Sequence, residues 1–166
     1  MTLGELNNLS VEAAKHEFSK CCGSILWVDR IVEKRPYANE AELYAAATDV
    51  WFSCSRIDWQ EAFSYHIKIG DLNNLEGKVF ATNQLAGEEH AIWSSAPKEA
   101  LEKLLLINLK YEKKFGYIFV VFALGKSVEE ILEIAELRLR NNPYDEIKIA
   151  ASEQNRITKS RLKKLL

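Results

Sequence analysis

Apolar residues recur along most of this chain at the three- and four-residue spacing of amphipathic helices. In the first third of the sequence, this spacing predicts helices over residues 2–9, 10–22 and 25–34. Ser10 and Ser24 precede the second and third runs and are candidate N-caps, because a serine hydroxyl can accept a hydrogen bond from a backbone N–H of the first turn. Val11, Ala14 and Phe18 are the predicted buried face of the second helix. Pro36 ends the third helix, since the residue before a proline disfavours helical backbone.

The middle of the chain continues the helical pattern and then loses it. Asn39 precedes an alanine-rich helix predicted over residues 40–53. The next helix is predicted to begin at Asp58, with Glu61 three residues later completing a capping box, and to run into His66. Its apolar stripe consists of Trp59, Ala62 and Phe63. Beyond His66 the pattern weakens, and asparagines and glycines over residues 70–87 favour loops and a short helix.

Three longer helices are predicted in the second half of the chain, over residues 97–115, 128–141 and 143–166. Pro97 and Pro143 suit first helical turns, where a missing N–H has no cost. Ser127 is a candidate cap, and Gly116 ends the first of the three helices. The pattern as a whole predicts an all-α fold, a bundle of about eight helices in a single domain over residues 1–166.

One segment does not fit a simple helical pattern. Residues 117–125, Y-I-F-V-V-F-A-L-G, have the β-branched and aromatic content of a strand, but no second strand is predicted to pair with them. We therefore interpret this segment as a buried extended connector or a short buried helix. Its backbone polar groups must find partners, and a ligand could be one of them.

Composition narrows the class of protein further. The chain has 166 residues, 48% hydrophobic and 28% charged, which is typical of an ordinary globular domain. A net charge of −2 argues against nucleic acid or an anionic membrane as a partner. The three cysteines, Cys21, Cys22 and Cys54, lack zinc spacing, and we interpret them as reduced thiols of an intracellular protein. No apolar run reaches membrane-spanning length and no signal peptide is recognisable, which favours a cytoplasmic protein.

Two histidine-containing stretches could carry acid–base chemistry. His66 lies where a helix passes into a loop, and an imidazole titrates near neutral pH. Glu88, Glu89 and His90 place carboxylates beside a second histidine, although an exposed acidic helix start is the alternative. His16 is predicted to lie on the surface. Neither metal-binding spacing nor a glycine-rich phosphate loop is recognisable, and Arg161 taken alone would be a surface arginine in a basic helix end.

Several separated motifs, in order, resemble one enzyme family along nearly the whole chain. They are C-C-G-S at 21–24, R-P-Y at 35–37, D-W-Q-E-A-F at 58–63, H-I-K-I-G-D at 66–71, N-L-K-Y-E-K-K-F-G-Y-I-F at 108–119 and I-A-A-S-E-Q-N-R-I-T-K-S-R at 149–161. The family is 2-oxo-4-hydroxy-4-carboxy-5-ureidoimidazoline (OHCU) decarboxylase, an enzyme of urate breakdown. The resemblance implies an all-helical homodimer without metal or organic cofactor. It also implies that the small-molecule substrate OHCU loses CO2 to yield S-allantoin.

The resemblance also implies roles for individual residues. His66 corresponds to the proton donor of the family, and Glu89 to its second catalytic residue, with Glu88 as the alternative one position earlier. The implied substrate-binding residues are Ile67, Ala86, Gly87, Glu88, Glu89, His90, Phe119, Val120, Val121, Phe122, Ala123 and Arg161.

Two of these positions depart from the family pattern. Ile67 replaces a proline that would constrain the loop after His66, and His90 replaces a glutamine whose amide can donate and accept at once. The departures leave two alternatives to the decarboxylase. One is a diverged enzyme acting on another ureido or hydantoin-like acid, and the other is a non-catalytic helical binding domain.

Overall fold

The structure is a computed structural model that describes residues 1–66 and 95–166 of the chain. These residues form eight α-helices and no β-strand, so the all-helical prediction is confirmed for the part of the chain described. The helices are α1 (Leu3–Asn8), α2 (Val11–Ser19), α3 (Ile25–Glu33), α4 (Glu40–Ser53), α5 (Arg56–Ser64), α6 (Lys98–Phe115), α7 (Val128–Leu139) and α8 (Pro143–Leu165). Among them, none combines the length and apolar composition needed to cross a bilayer.

Most helices begin at the N-cap residues that were predicted from the sequence. The side chains of Ser10, Ser24, Asn39 and Ser127 each accept a hydrogen bond from a backbone N–H three residues later. Gly116 ends α6 in the left-handed conformation at φ 83°, which glycine adopts without the steric cost of a Cβ atom. These features depend on neighbours in the sequence, and for that reason they could be predicted locally.

The predicted start of α5 at Asp58 is wrong. The helix begins two residues earlier, and Ser55 is its N-cap. Asp58 occupies the third helical position, where its Oδ2 accepts the Ser55 N–H at 2.7 Å. Two overlapping capping boxes were available in the sequence, and the serine-led box leaves Glu61 for a different role. Glu61 Oε2 accepts the Ile25 N–H at 2.9 Å, at the start of α3.

Buried indole and guanidinium groups join the helices of the N-terminal half. Trp27 Nε1 donates to Ala47 O at 3.0 Å and thereby links α3 to α4. Arg35 Nη1 donates to Leu6 O at 2.8 Å and to Leu9 O at 3.0 Å, which satisfies carbonyl groups near the end of α1. Val11, predicted to be buried with Ala14 and Phe18, is instead 49% exposed. It occupies the first turn of α2, where the helix has only begun to pack on α3.

A buried charged network holds the C-terminal helices together. The carboxylate of Glu146, on α8, is fully buried and accepts hydrogen bonds from Tyr111 on α6 at 2.5 Å and from Arg138 Nε on α7 at 2.7 Å. Arg138 is itself 6% exposed, and Asn141 Nδ2 donates to the second oxygen of Glu146 at 2.8 Å. Because each of these polar groups has partners, the network fixes the orientation of three helices around one carboxylate.

The connector between α6 and α7 is extended, as one of the two interpretations predicted. Residues 118–123 have no helical or strand structure. Phe119, Val120, Val121 and Ala123 are buried. The short-helix alternative is wrong, because the backbone groups of this segment bond to side chains of the surrounding helices instead of to one another.

Removal of the Glu146 charge should strongly destabilise the protein. We expect Glu146→Gln to lower the free energy of unfolding by about 3–5 kcal/mol, because Arg138 is left as an uncompensated buried charge. Urea denaturation followed by circular dichroism measures this change. The control is Glu102→Gln, which removes one side of the exposed Lys98–Glu102 pair and should cost less than about 1 kcal/mol. Equal losses in the two variants would contradict the central role of the network.

Candidate functional site

His66 lies directly after α5 and contacts the last helix of the chain. Its backbone N–H donates to Phe63 O at 3.1 Å, which continues the last turn of α5. Its ring is half-buried, and Nε2 lies 2.5 Å from Oε1 of Gln154 on α8. The helix ends at Ser64 with Tyr65 as its C-cap, so the prediction that a helix ends at His66 is confirmed, while the segment that follows His66 lies outside the described residues.

Three polar side chains of α8 lie on one buried face of that helix. They are Gln154, Thr158 and Arg161, at the i, i+4 and i+7 positions that share a face. Gln154 is fully buried, and its Nε2 donates to Thr158 Oγ1 at 3.2 Å. With a rise of about 1.5 Å per residue, this polar face extends for about 10 Å from the His66 contact to Arg161.

The interpretation of Arg161 as a surface arginine is wrong. Only 3% of the residue is exposed, whereas Lys163 and Lys164 in the same basic run are exposed. The physical reason is the helical period, which turns position 161 towards the interior beside Gln154 and Thr158 while the neighbouring lysines point outwards. A guanidinium that stays charged when buried is a strong candidate for binding an anionic ligand.

Two buried cysteines lie close to Thr158 and Arg161. Cys21 and Cys22 are fully buried free thiols between α2 and α3. Burial raises the pKa of Cys22 to about 12, against the smaller opposing effects of the Ser24 backbone and the Thr158 hydroxyl. Burial also raises the pKa of Cys21, although the nearby charge of Arg161 opposes this shift. Both side chains therefore remain neutral thiols at physiological pH and pack as small apolar groups.

A close approach of two chain segments sets the position of the end of α5. A Cβ atom at Gly23 would lie 2.5 Å from ring atoms of Tyr65, which is closer than real Cβ contacts allow. A glycine is therefore required at position 23 for this close approach. It lets the Tyr65 ring pack on the backbone beside Cys22, and Tyr65 immediately precedes His66.

Side chains from three helices fix the extended connector. Asn108 on α6 accepts the Phe119 N–H through Oδ1 at 3.3 Å, and Glu153 on α8 accepts the Phe122 N–H through Oε2 at 2.7 Å. Arg138 on α7 donates to Val120 O at 2.7 Å. The connector is thus anchored at three backbone groups by side chains of α6, α7 and α8.

The structure brings together only part of the predicted site. His66 and the connector both bond to α8, through the adjacent residues Gln154 and Glu153, and Arg161 lies further along the same helix. Ile67, Ala86, Gly87, Glu88, Glu89 and His90 lie outside the described residues. His16 is exposed, as predicted. Within residues 1–66 and 95–166, no three metal-ligating side chains form a cluster.

Sequence reasoning missed the residues that support the site. Gln154 and Thr158 were not singled out, although their spacing from Arg161 could have indicated one shared helix face. Asn108 was given no function of its own, yet it is 2% exposed and bonds to the connector. Glu153, whose carboxylate anchors Phe122, gave no local signal.

The described residues form a helical fold in which His66 contacts the buried polar face of α8 that also carries Arg161. The sequence model of the OHCU decarboxylase family matches residues 7–163 of the chain. A solved structure, described as the crystal structure of OHCU decarboxylase in the presence of (S)-allantoin, is 32% identical in sequence with a TM-score of 0.77. The similarity covers 90% of this chain and 96% of that one. The chain belongs to the OHCU decarboxylase family.

Curated relatives differ in how much of their length the chain matches. The Arabidopsis thaliana uric acid degradation bifunctional protein TTL is 32% identical over 95% of this chain, but the match spans 48% of its own length. The uric acid degradation bifunctional protein of a Bacillus strain, TB-90, is 28% identical, and 32% of its length is matched. The Amia calva 2-oxo-4-hydroxy-4-carboxy-5-ureidoimidazoline decarboxylase is 25% identical over 100% of this chain and 95% of its own length. The chain therefore spans half or less of the two bifunctional relatives.

The burial of Cys22 predicts a loss of stability at alkaline pH. Its folded pKa of about 12 lies above the ordinary value of 9.0, so the unfolded chain loses this proton first as the pH rises. The contribution of Cys22 is therefore complete below pH 9.0 and is lost progressively towards pH 12, by up to about 1.4 kcal/mol per pH unit. We expect Cys22→Ser to make the decline in unfolding free energy between these pH values shallower, as measured by urea denaturation under reducing conditions.

A matched control separates this pH effect from simple damage to the core. Ala14→Ser introduces the same hydroxyl into another fully buried position without removing a titrating group. The unfolding free energy of Ala14→Ser should differ from the wild-type value by the same amount at every pH. Its slope against pH should therefore equal that of the wild-type protein. A wild-type slope in Cys22→Ser as well would contradict the prediction.

Proposed function

We propose that this chain catalyses the decarboxylation of OHCU to S-allantoin, a step of urate breakdown, as a carboxy-lyase. The observation that carries this proposal is that His66 contacts Gln154 on the same buried face of α8 that carries Arg161, within the fold of this family. The similar crystal structure determined in the presence of (S)-allantoin supports the same assignment.

The reaction needs an acid placed on one face of the substrate ring. When the bond to the carboxylate carbon breaks, its electron pair is delocalised over the adjacent C=N bond of the ring as CO2 leaves. A proton must then reach the ring carbon that carries the ureido group, and delivery to one face gives a single enantiomer. His66 is the proton donor in this proposal, because its ring is held rigidly at the end of α5 yet remains half-buried instead of enclosed.

Arg161 is the group proposed to bind the anionic or ureido part of the substrate. Its guanidinium has a fixed fork of donors that matches a carboxylate or a urea carbonyl. Burial strengthens such an interaction, since less water competes for the donors.

The connector is proposed to bind substrate through its backbone. Among residues 119–123 of the connector, Phe119 and Phe122 already donate their N–H groups to Asn108 and Glu153. The amides of Val120, Val121 and Ala123 are therefore the candidates for substrate carbonyl or oxyanion groups. The two occupied amides act instead as anchors.

The rest of the proposed site comes from the family resemblance. Ile67, Ala86, Gly87, Glu88, Glu89 and His90 would complete the substrate pocket. Glu89, or Glu88 in the alternative register, would orient or deprotonate the substrate hydroxyl group.

The remaining assignments concern the protein as a whole. We infer that residues 1–166 form one domain, that two copies form a homodimer and that the protein works in the cytoplasm. The exposed leucines of α6, Leu106 at 59% and Leu109 at 51%, are compatible with a dimer interface.

Substitution of His66 should abolish stereoselective turnover. We expect the wild-type protein, added to freshly oxidised urate with urate oxidase and hydroxyisourate hydrolase present, to produce a rapid circular dichroism signal of S-allantoin. His66→Asn should reduce the rate by about a hundredfold or more, because general acid catalysis contributes that much. His16→Asn, at an exposed histidine, is the matched control and should behave as wild type. Full activity in His66→Asn would remove the proposed proton donor.

Replacement of Arg161 by lysine tests the guanidinium separately from its charge. We expect Arg161→Lys to lower kcat/KM by about tenfold or more, because the ammonium cannot reproduce bidentate binding. Arg140→Lys makes the same change at an exposed arginine that follows α7 and should leave kcat/KM unchanged. Circular dichroism melting verifies that both variants fold. If the two variants retain equal activity, Arg161 does not bind the substrate.

A further inference from the structure

Gln154 is an unusual residue to find in a fully buried position next to a candidate acid. None of its surface is exposed, and a buried amide is costly unless both its oxygen and its nitrogen are hydrogen-bonded. Here the amide lies between two side chains: Oε1 faces His66 Nε2 at 2.5 Å, and Nε2 donates to Thr158 Oγ1 at 3.2 Å. The residue thus connects the imidazole to the interior of α8.

The chemistry of these atoms determines which of them donates in the hydrogen bond between His66 and Gln154. An amide oxygen can only accept, so the nitrogen of His66 that faces it must carry a hydrogen. In this orientation of the amide, Gln154 Nε2 donates to Thr158 Oγ1. The hydroxyl hydrogen remains available for Cys22, whose thiol lies beside Thr158. The hydrogen bonds therefore run in one sense, from the imidazole to the amide and from the amide to the hydroxyl.

We propose that Gln154 is a positioning residue that keeps a hydrogen on His66 Nε2, so that Nδ1 is the nitrogen that passes the proton to the substrate. This inference rests on the proposed function. Gln154 and Thr158 touch the imidazole or its partner and have no direct part in bond breaking. Their effect is to fix the tautomer that His66 returns to after each proton transfer and the direction in which Nδ1 points.

A neutral amide also suits an acid better than a carboxylate would. A carboxylate beside an imidazole stabilises the charged imidazolium and holds its proton more tightly. An amide oxygen orients the ring without adding a full negative charge. His66 can therefore be fixed in place and still release its proton, which a general acid requires.

The tautomer of His66 provides a test that needs no turnover. Long-range ¹H–¹⁵N correlation spectra of ¹⁵N-histidine-labelled protein distinguish the two neutral tautomers, and the His66→Asn spectrum assigns the His66 signals. We expect the Nε2–H form in the wild-type protein and a mixture of both forms in Gln154→Leu. A wild-type Nδ1–H form, or an unchanged tautomer in Gln154→Leu, would overturn the inference.

Kinetics of isosteric variants provide the second measurement. We expect Gln154→Leu to lower kcat by about tenfold to a hundredfold with a smaller change in KM, since a misdirected acid affects the chemical step. Gln154→Glu keeps the shape and should move the limb of the pH–rate profile that reports His66 to higher pH. Gln60→Glu, an exposed glutamine on α5, controls for added charge and should leave the profile in place.

The two measurements separate this inference from the proposed function. If the wild-type protein has no turnover, the proposed function is wrong, and with it the catalytic role of Gln154. If the wild-type protein turns over substrate but Gln154→Leu and Gln154→Glu retain its kcat and pH profile, only the positioning role is wrong. Should Gln154→Leu fail to fold, Gln154→Glu and Thr158→Val still test the orientation of the amide through the tautomer of His66.

Discussion

The buried polar face of α8 is the constraint on which the rest of the structure depends. Glu146, Gln154, Thr158 and Arg161 are all nearly inaccessible to solvent on one helix, although burial of polar and charged groups is costly unless each has a partner. The partners of Glu146 include residues of α6 and α7, and Gln154 contacts His66, which follows α5. Since an unpaired buried charge costs several kcal/mol, the other helices must dock in the arrangement that satisfies α8. The indole of Trp51 adds a bond from α4 to Ala151 O at 2.8 Å on the same helix.

This arrangement divides α8 into a structural part and a functional part. Near its beginning, Glu146 and its partners fix the packing of α6 and α7, and Arg138 extends that network to Val120 O in the connector. Further along, Glu153 anchors the connector and Gln154 orients His66. A disturbance at Glu146 would therefore reach the connector through Arg138. Stability and site geometry are coupled because one helix provides both.

The sequence allowed prediction of what neighbouring residues determine. Helix caps at Ser10, Ser24, Asn39 and Ser127 and the glycine stop at Gly116 need no tertiary information. The start of α5 could not be chosen locally, since two capping boxes overlapped and the choice was coupled to a bond from Glu61 to α3. The family resemblance singled out His66 and Arg161 as site residues. It did not identify Gln154, which meets His66 across 88 positions of sequence, because such a contact follows from docking of helices and leaves no local pattern.

In the proposed function, His66 must be held in one orientation and still release its proton, and a glutamine at position 154 suits both requirements. An apolar residue at 154 would accept no hydrogen bond from the imidazole, and a carboxylate would bind its proton too firmly. An amide avoids both problems but brings its own requirement, since its nitrogen must also be satisfied in the interior. Thr158 meets that requirement one helical turn away, at the spacing that an α-helix provides for side chains on one face. The orientation of His66 is thus a consequence of the hydrogen bonds that satisfy the buried Gln154 amide. The residues that make these bonds lie on the same buried face of α8 as Arg161.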